Sequence, residues 1–348
     1  MPKVRQRGED IRRFILEQVT DHPKDIAKMT SAHFKVSRQA VNKHLHILAQ
    51  EKVLKTEGKT RNISYVLCAV AKWSKKYHVT SNLAEDVIWR NDIVPALGML
   101  PENVMDIWHF GFTEMFNNAI DHSEATSIYV EIEKTAIVSK MLIYDNGVGI
   151  FLKIQRALGL LDERHAVLEL HKGKLTTDPK NHTGEGIFFS SRMFDMFNIL
   201  SGGVYFAHEF KTDEDWIVEN QRARKGTAVF LELNNHTSRT PKKVFDKFTA
   251  GDDFAFSKTI VPVKMAQYGD DKLISRSQAK RLLARVELFK IVIFDFNDVE
   301  SIGQAFADEI FRVFAKRHPE IEIQVIRTNT AVKRMISRVK SPDTWHSV

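Results

Sequence analysis

The sequence predicts a multidomain α+β protein in three sections, and three observations predict it. The chain has 348 residues, a length that suits two or three ordinary domains. Its charge is uneven. Residues 1–78 hold 17 Lys and Arg against 7 Asp and Glu, a net +10, and the remainder, 34 against 37, is −3. The apolar periodicity also changes along the chain. It is helical at the N-terminal end, strand-like around glycine clusters in the middle, and alternates strand and helix towards the C-terminal end. The sections are placed at 1–78, 79–236 and 237–348.

Composition excludes several classes. The apolar runs are short and broken by charge, so no segment is long enough to span a bilayer. The basic stretch Met1–Arg13 lacks the apolar core of a signal peptide. Cys68 is the only cysteine, which rules out an intrachain disulfide and a cysteine-based zinc site. These features point to a cytoplasmic protein without a membrane partner. A basic end on a nearly neutral chain suits a polyanion, with a solubilising surface as the bland alternative.

In the first section, Ile11, Phe14, Ile15 and Val19 recur at helical spacing, Pro23 interrupts, and Lys24–Met29 can form a second short helix. Ser37 is placed as the N-cap of a third helix, Arg38–Gln50, with Val41, Leu45 and Leu48 as its apolar stripe. Strands Val53–Glu57 and Asn62–Leu67 follow around a turn at Gly58-Lys59. The third helix carries Ser37, Arg38, Gln39, Asn42, Lys43 and His46 on its polar side. Arg, Asn and Gln can read base edges bidentately. The hairpin offers Lys55, Lys59, Arg61 and Asn62 to phosphates. This section resembles a winged helix-turn-helix, and Ser-Arg-Gln-Ala-Val-Asn-Lys-His-Leu is similar to the recognition helices of bacterial regulators. The resemblance implies DNA as partner; winged helices also serve as protein-interaction modules.

The second section holds four elements in a fixed order. Glu114 and Asn118 lie four apart on one helical face, with Asp121 one turn on. A carboxylate and a carboxamide on an otherwise apolar face are costly unless they meet a ligand. Asn suits Mg²⁺, and Glu suits positioning a water or hydroxyl for attack on phosphorus. Next, Asp145-Asn-Gly147-Val-Gly149-Ile150 follows the strand Lys140–Tyr144. Its Asp can accept a hydrogen bond from an exocyclic amine, and its glycines permit close backbone approach. Taken alone, Asp-Asn-Gly is a hairpin turn. Thr183-Gly184-Glu-Gly186-Ile187 opens a helix over Ile187–Phe197, whose free amides can point at an anion; taken alone it is an ordinary Gly-rich helix start. Finally, Gly226-Thr227 leads a strand.

Together these elements resemble the GHKL ATPases: gyrase, Hsp90-type chaperones, histidine kinases and MutL. Glu114, Asn118 and Asp121 match the N box. Asp145–Ile150, Thr183–Ile187 and Gly226-Thr227 match the three glycine boxes, so the likeness covers roughly residues 100–236. It implies a Bergerat-type α/β sandwich that binds ATP with Mg²⁺. Glu114 would act in catalysis. Asn118 would hold Mg²⁺, and Asp121, Asp145, Gly147, Gly149, Ile150, Thr183, Gly184, Gly186, Ile187 and Thr227 would complete the ATP site. Lys153–His182 would be the lid over the phosphates, with His171, Lys172 and Lys174 as candidate phosphate contacts or as a solvated face. Histidine kinases more often carry Asn or His where this chain has Glu114, so Glu114 favours hydrolysis or Ser/Thr phosphorylation.

In the third section, a polar stretch at Asn234–Lys243 suits a linker, and the order beyond it is βαβα: Lys290–Phe296, Ser301–Lys316, Ile321–Arg327 and Ala331–Val339. Val292-Ile-Phe-Asp295-Phe, the Phe306–Ile310 helix and Val325–Asn329 resemble a small αβ STAS-like domain. In anti-sigma antagonists such domains present a Ser or Thr to a GHKL kinase. Ser301 holds that position here, as a candidate phosphoacceptor or as a helix N-cap. The whole reads as an ATP-responsive, DNA-binding transcriptional regulator, with a homodimer or a regulatory protein as further candidate partners. Two alternatives are an anti-sigma-type serine/threonine protein kinase and an ATP-driven dimerising clamp. The clamp would need a lysine from the following domain, for which Lys258 and Lys264 are the candidates. A domain that only senses nucleotide is a third.

Overall fold

The computed structural model of the chain describes residues 2–58, 62–175, 184–212, 214–249, 255–267 and 272–340. Helices α1 (Pro2–Gln18), α2 (Ile26–Phe34) and α3 (Arg38–Gln50) precede an antiparallel hairpin of β1 (Leu54–Glu57) and β2 (Ser64–Leu67). The oxygen of Ser37 accepts the Ala40 amide at 3.2 Å and so starts α3. Val41, Leu45 and Leu48 then fall on one buried face against Ile11, Ile15, Val19 and Ile26. This small core is separate from the main one. Helix α2 runs past the expected Met29 to Phe34, because Thr30 is also buried and Lys35 ends the helix in the left-handed region. Gly58 turns the hairpin at φ +88°.

The central unit is a five-stranded antiparallel sheet in the order β3-β4-β5-β7-β6. Its strands are β3 (Ala71–His78), β4 (Ser127–Lys134), β5 (Val138–Asp145), β6 (Met196–Glu209) and β7 (Glu214–Asn234). Strand β3 lies on the N-terminal side of the boundary expected at 78, yet it pairs with β4 from Ala71↔Lys134 to His78↔Ser127. Its alternation of Trp73 and Tyr77 was masked by Lys72, Lys75 and Lys76. One face of the sheet is buried through Ile128, Val130, Ile132, Met141 and Ile143 on β4 and β5. The opposite face exposes Glu131, Tyr144 and Phe230.

Helices cover the buried face. After α4, a helical segment over 85–97, comes α5 (Glu102–Asn117), which buries Val104, Ile107, Trp108, Phe112 and Phe116 and runs into a π turn at Asn118–His122. Three further helices follow: α6 (Ile150–Leu158), α7 (Glu163–Lys172) and α8 (Gly186–Met193). Helix α8 is shorter than the expected Ile187–Phe197. Phe194 turns the backbone to extended geometry, and Phe197 points inward from β6.

Beyond α9 (Pro241–Lys247), three parallel strands form a sheet in the order β10-β9-β8, with β8 at Lys258–Pro262, β9 at Ile291–Asp295 and β10 at Glu322–Ile326. Helix α10 (Arg276–Leu283), a helix α11 over 304–317 and α12 (Thr330–Lys340) accompany them. The sequence expectation of βαβα corresponds to β9, α11, β10 and α12. Strand β8 and helix α10 come before it, beyond the stretch Asn234–Lys243 that reads as linker, and that stretch itself includes the end of β7 and the start of α9. Gly303, not Ser301, is the N-cap of α11. Ser301 lies outside the helix and is exposed. The apolar side chains of this unit and of the central sheet belong to one continuous buried cluster.

Candidate functional site

A cavity of about 270 Å³ lies between the buried sheet face and the helices, at the small end of ligand-sized clefts. Glu114 enters it from α5, Asn118 from the π turn that follows, Asp145 from the end of β5, Ile150 and Lys153 from α6, Gly184, Gly186 and Ile187 from the start of α8, and Thr227 from β7. Ile143, Ile154, Ile199 and Val229 form apolar walls. Elements far apart in sequence thus bring two carboxyl groups, Glu114 and Asp145, one carboxamide and a set of glycines to a single opening.

Asp145 is 4% exposed and sits opposite Thr227 in the β5–β7 register. Its Oδ1 accepts the Gly147 amide at 2.8 Å. Burial pushes the Asp145 carboxyl above the usual carboxylate range, and hydrogen bonds from Gly147 and Thr227 pull partly the other way. The Thr227 oxygen accepts the Ile150 amide at 3.0 Å, tying the start of α6 to β7. The turn after Asp145 is not a hairpin. Asn146 Oδ1 accepts the amides of Thr126 and Ser127, each at 3.0 Å, and the chain continues into α6.

The glycines are set by close approach. A Cβ on Gly147 would lie 2.0 Å from the Ser123 carbonyl, and one on Gly186 would lie 1.9 Å from Glu114 Oε2. Gly184 has φ +71°, and a Cβ there would meet the Leu175 backbone at 2.4 Å. Side chains at these positions would close the opening or displace Glu114. Among the described residues no group of three or more His, Cys, Asp and Glu side chains could hold a metal ion. A cation at Asn118 would therefore draw most of its ligands from water and from an anionic ligand, as Mg²⁺ commonly does.

Not every expected residue reaches the cavity. Gly147 and Gly149 shape the turn behind it, and Gly149 takes φ +99°. Asp121 is exposed and is not part of the lining. The π turn at Asn118–His122 is wider than an α turn, so Asp121 lags the face shared by Glu114 and Asn118. Thr183 lies outside the described residues. Lys153 lines the cavity and was not singled out in the sequence. Its amino group donates to the His122 carbonyl at 2.6 Å and lies 3.6 Å from Glu124. Its position one turn into the helix that follows Gly149 was the available signal.

The lid-stretch cations are not at the cavity. Lys172 is fully buried. It donates to Glu169 Oε1 at 2.7 Å, to the Ala284 carbonyl at 2.7 Å and to the Arg281 carbonyl at 3.2 Å. Burial lowers its pKa, and Glu169 opposes the shift. Lys174 donates to the Leu288 carbonyl at 2.9 Å and lies over the Phe289 ring. His171 Nε2 lies 3.6 Å from Asp215, whose other oxygen meets His208 at 2.9 Å. Burial would raise the Asp215 carboxyl, but His171, His208 and Arg192 bring it down to about 2. Lys258 belongs to β8, Lys264 pairs with Asp298 at 3.1 Å, and neither lines the cavity.

In the N-terminal unit Arg38, Gln39, Asn42, Lys43 and His46 are all exposed along α3, beside the capping Ser37. Lys55 pairs with Glu57 at 2.7 Å on the hairpin. Lys59 and Arg61 lie outside the described residues. Among the described residues no helix is long and apolar enough to cross a membrane.

The family model of a STAS-like domain of unknown function (DUF4325) matches residues 278–333. The match begins within α10 and takes in β9, α11 and β10. It contains Ser301, Asp295 and the residues that receive Lys172 at the end of α10. No curated protein matches the chain.

Proposed function

We propose that this chain is an ATP-binding, DNA-binding regulator in which nucleotide occupancy of the central cavity controls the N-terminal winged-helix section and the C-terminal STAS-like section. One observation carries the reading: the four separated motifs that resemble those of GHKL ATPases contribute side chains or backbone to a single cavity. Asp145, buried, accepts the Gly147 amide through Oδ1, and its carboxylate would accept the exocyclic amine of adenine. Ile143, Ile154, Ile199 and Val229 suit the faces of a flat base. Gly184 and Gly186 leave backbone amides at the start of α8 for phosphate. Asn118 would hold Mg²⁺, which neutralises phosphate charge when bound. Glu114, beside Gly186, would orient the attacking water or hydroxyl.

A second reading is a serine/threonine kinase acting on its own STAS-like section. The observation that favours it is the exposure of Ser301 within the matched residues. Purified protein with γ-labelled Mg-ATP, with and without DNA, tests both. Free phosphate and labelled protein are scored together and binding is followed by calorimetry. Wild type and Glu114→Ala should bind ATP alike, and only wild type should release or transfer phosphate. Asp145→Asn should bind about 100-fold more weakly, because its amide would meet the adenine amine donor to donor. Equal ATP affinity in wild type and Asp145→Asn would refute the adenine assignment. Label on Ser301 that vanishes in Glu114→Ala would favour the kinase reading, and no label in either protein would end it.

A further inference from the structure

The segment that walls one side of the cavity is held from the C-terminal unit. Leu170 and Leu175 line the cavity, and Leu175 bonds through its amide to the Gly184 carbonyl at 3.1 Å. Between them the backbone is gripped by Arg285, just past α10. Its guanidinium donates to Glu169 Oε2 at 3.2 Å, to the Gly173 carbonyl at 3.3 Å and to the Lys174 carbonyl. The grip is reciprocal: Lys172, itself fully buried, caps the end of α10 through the Arg281 and Ala284 carbonyls. Gly173 has φ +83°, and a Cβ there would lie 2.7 Å from the Phe256 ring, so the position has no room for a side chain.

We infer that Arg285 is a positioning residue for the nucleotide cavity, and that the Glu169–Lys172–Arg285 latch couples occupancy of the cavity to the STAS-like section. This rests on the ATP reading above. The coupling follows from geometry: the latched residues and the cavity-lining residues alternate along one short stretch of chain. A ligand that packs against Leu170 and Leu175 must fix the latch, and by linkage the latch must alter ligand affinity to the same degree. With the latch open, that stretch would be ordered at the expense of binding energy.

Amide hydrogen exchange on the full chain, with and without Mg-ATP, tests this beside calorimetry. In wild type, ATP should slow exchange over 170–175 and also over 281–289. Arg285→Gln should bind ATP about tenfold more weakly, keep the slowing over 170–175 and lose it over 281–289. Wild type that binds ATP with unchanged exchange over 281–289 would overturn the latch while leaving the nucleotide reading intact. Wild type that does not bind ATP would overturn that reading and the latch together. The wild-type comparison decides the matter even where the variant folds poorly.

Discussion

Asp145 sets a buried carboxylate against the stability of the sheet that carries it. It is buried at the end of β5, and burial raises its pKa more than Gly147 and Thr227 lower it. A carboxyl raised in the folded state contributes stability that is fully present below its ordinary value of 3.8 and lost as the pH climbs through the folded value. At neutral pH, above its ordinary value, Asp145 therefore costs the protein stability. Asp145→Asn should melt higher than wild type at pH 7 without ligand, and the difference should close as the pH falls below the ordinary value. Thermal melts across pH check it, and a variant melting lower than wild type at pH 7 would contradict it. The same residue was legible in the sequence, as were Glu114 and Asn118, because each is polar on an otherwise apolar element. Lys172 was not. A lysine in a lid reads as a phosphate ligand, and the carbonyls that bury it lie 109 and 112 residues away.

Among elements, α3 shows how far pattern alone reaches. Its cap, stripe and exposed polar face are local, so the sequence and the structure agree on each. Arg38, Gln39, Asn42 and Lys43 contribute nothing to the buried core, so replacing them leaves stability nearly unchanged. On the DNA reading, Arg38→Ala and Lys43→Ala should each weaken binding to a mixed-sequence duplex without moving the melting temperature. Where the lost contact is to phosphate, the slope of log affinity against log salt should become shallower by about 1. Fluorescence anisotropy over a salt series measures both effects. Binding that ignores salt, or that both variants retain in full, would remove α3 from the interface. Elements fixed by distant partners were harder to read. Strand β3 is charged because it lies at the sheet edge, and its pairing with β4 crosses the expected boundary. Strand β8 is short and becomes a strand through β9. Asp121 left its expected face because a π turn changes the helical phase, which spacing rules for α-helices do not register.

At the scale of the molecule, three sections in sequence become two bodies in energy. The N-terminal unit has its own core around Ile15, Val41 and Leu45, whereas the central sheet and the STAS-like section share one continuous apolar cluster. Phe188, Phe189, Phe248 and Phe256 interlock between α8 and the approach to β8, with ring centroids 4.4 to 6.2 Å apart. The polar latch at Lys172 lies in the same contact region. Units that share a core unfold together, and units with separate cores can unfold separately. Calorimetry of the full chain should therefore show two transitions and not three. A ligand stabilises only the unit that binds it, by about 2.7 kcal/mol at a hundredfold excess over Kd. Mg-ATP should accordingly raise the larger transition, which carries both the cavity and the STAS-like section, and leave the smaller one in place; DNA should do the reverse. A third transition that ATP leaves unmoved would separate the STAS-like section from the cavity and dissolve the shared core as the route between them. If ATP moved both transitions by the same amount, its control of the N-terminal unit would act through that unit's stability, and not only through its affinity for DNA.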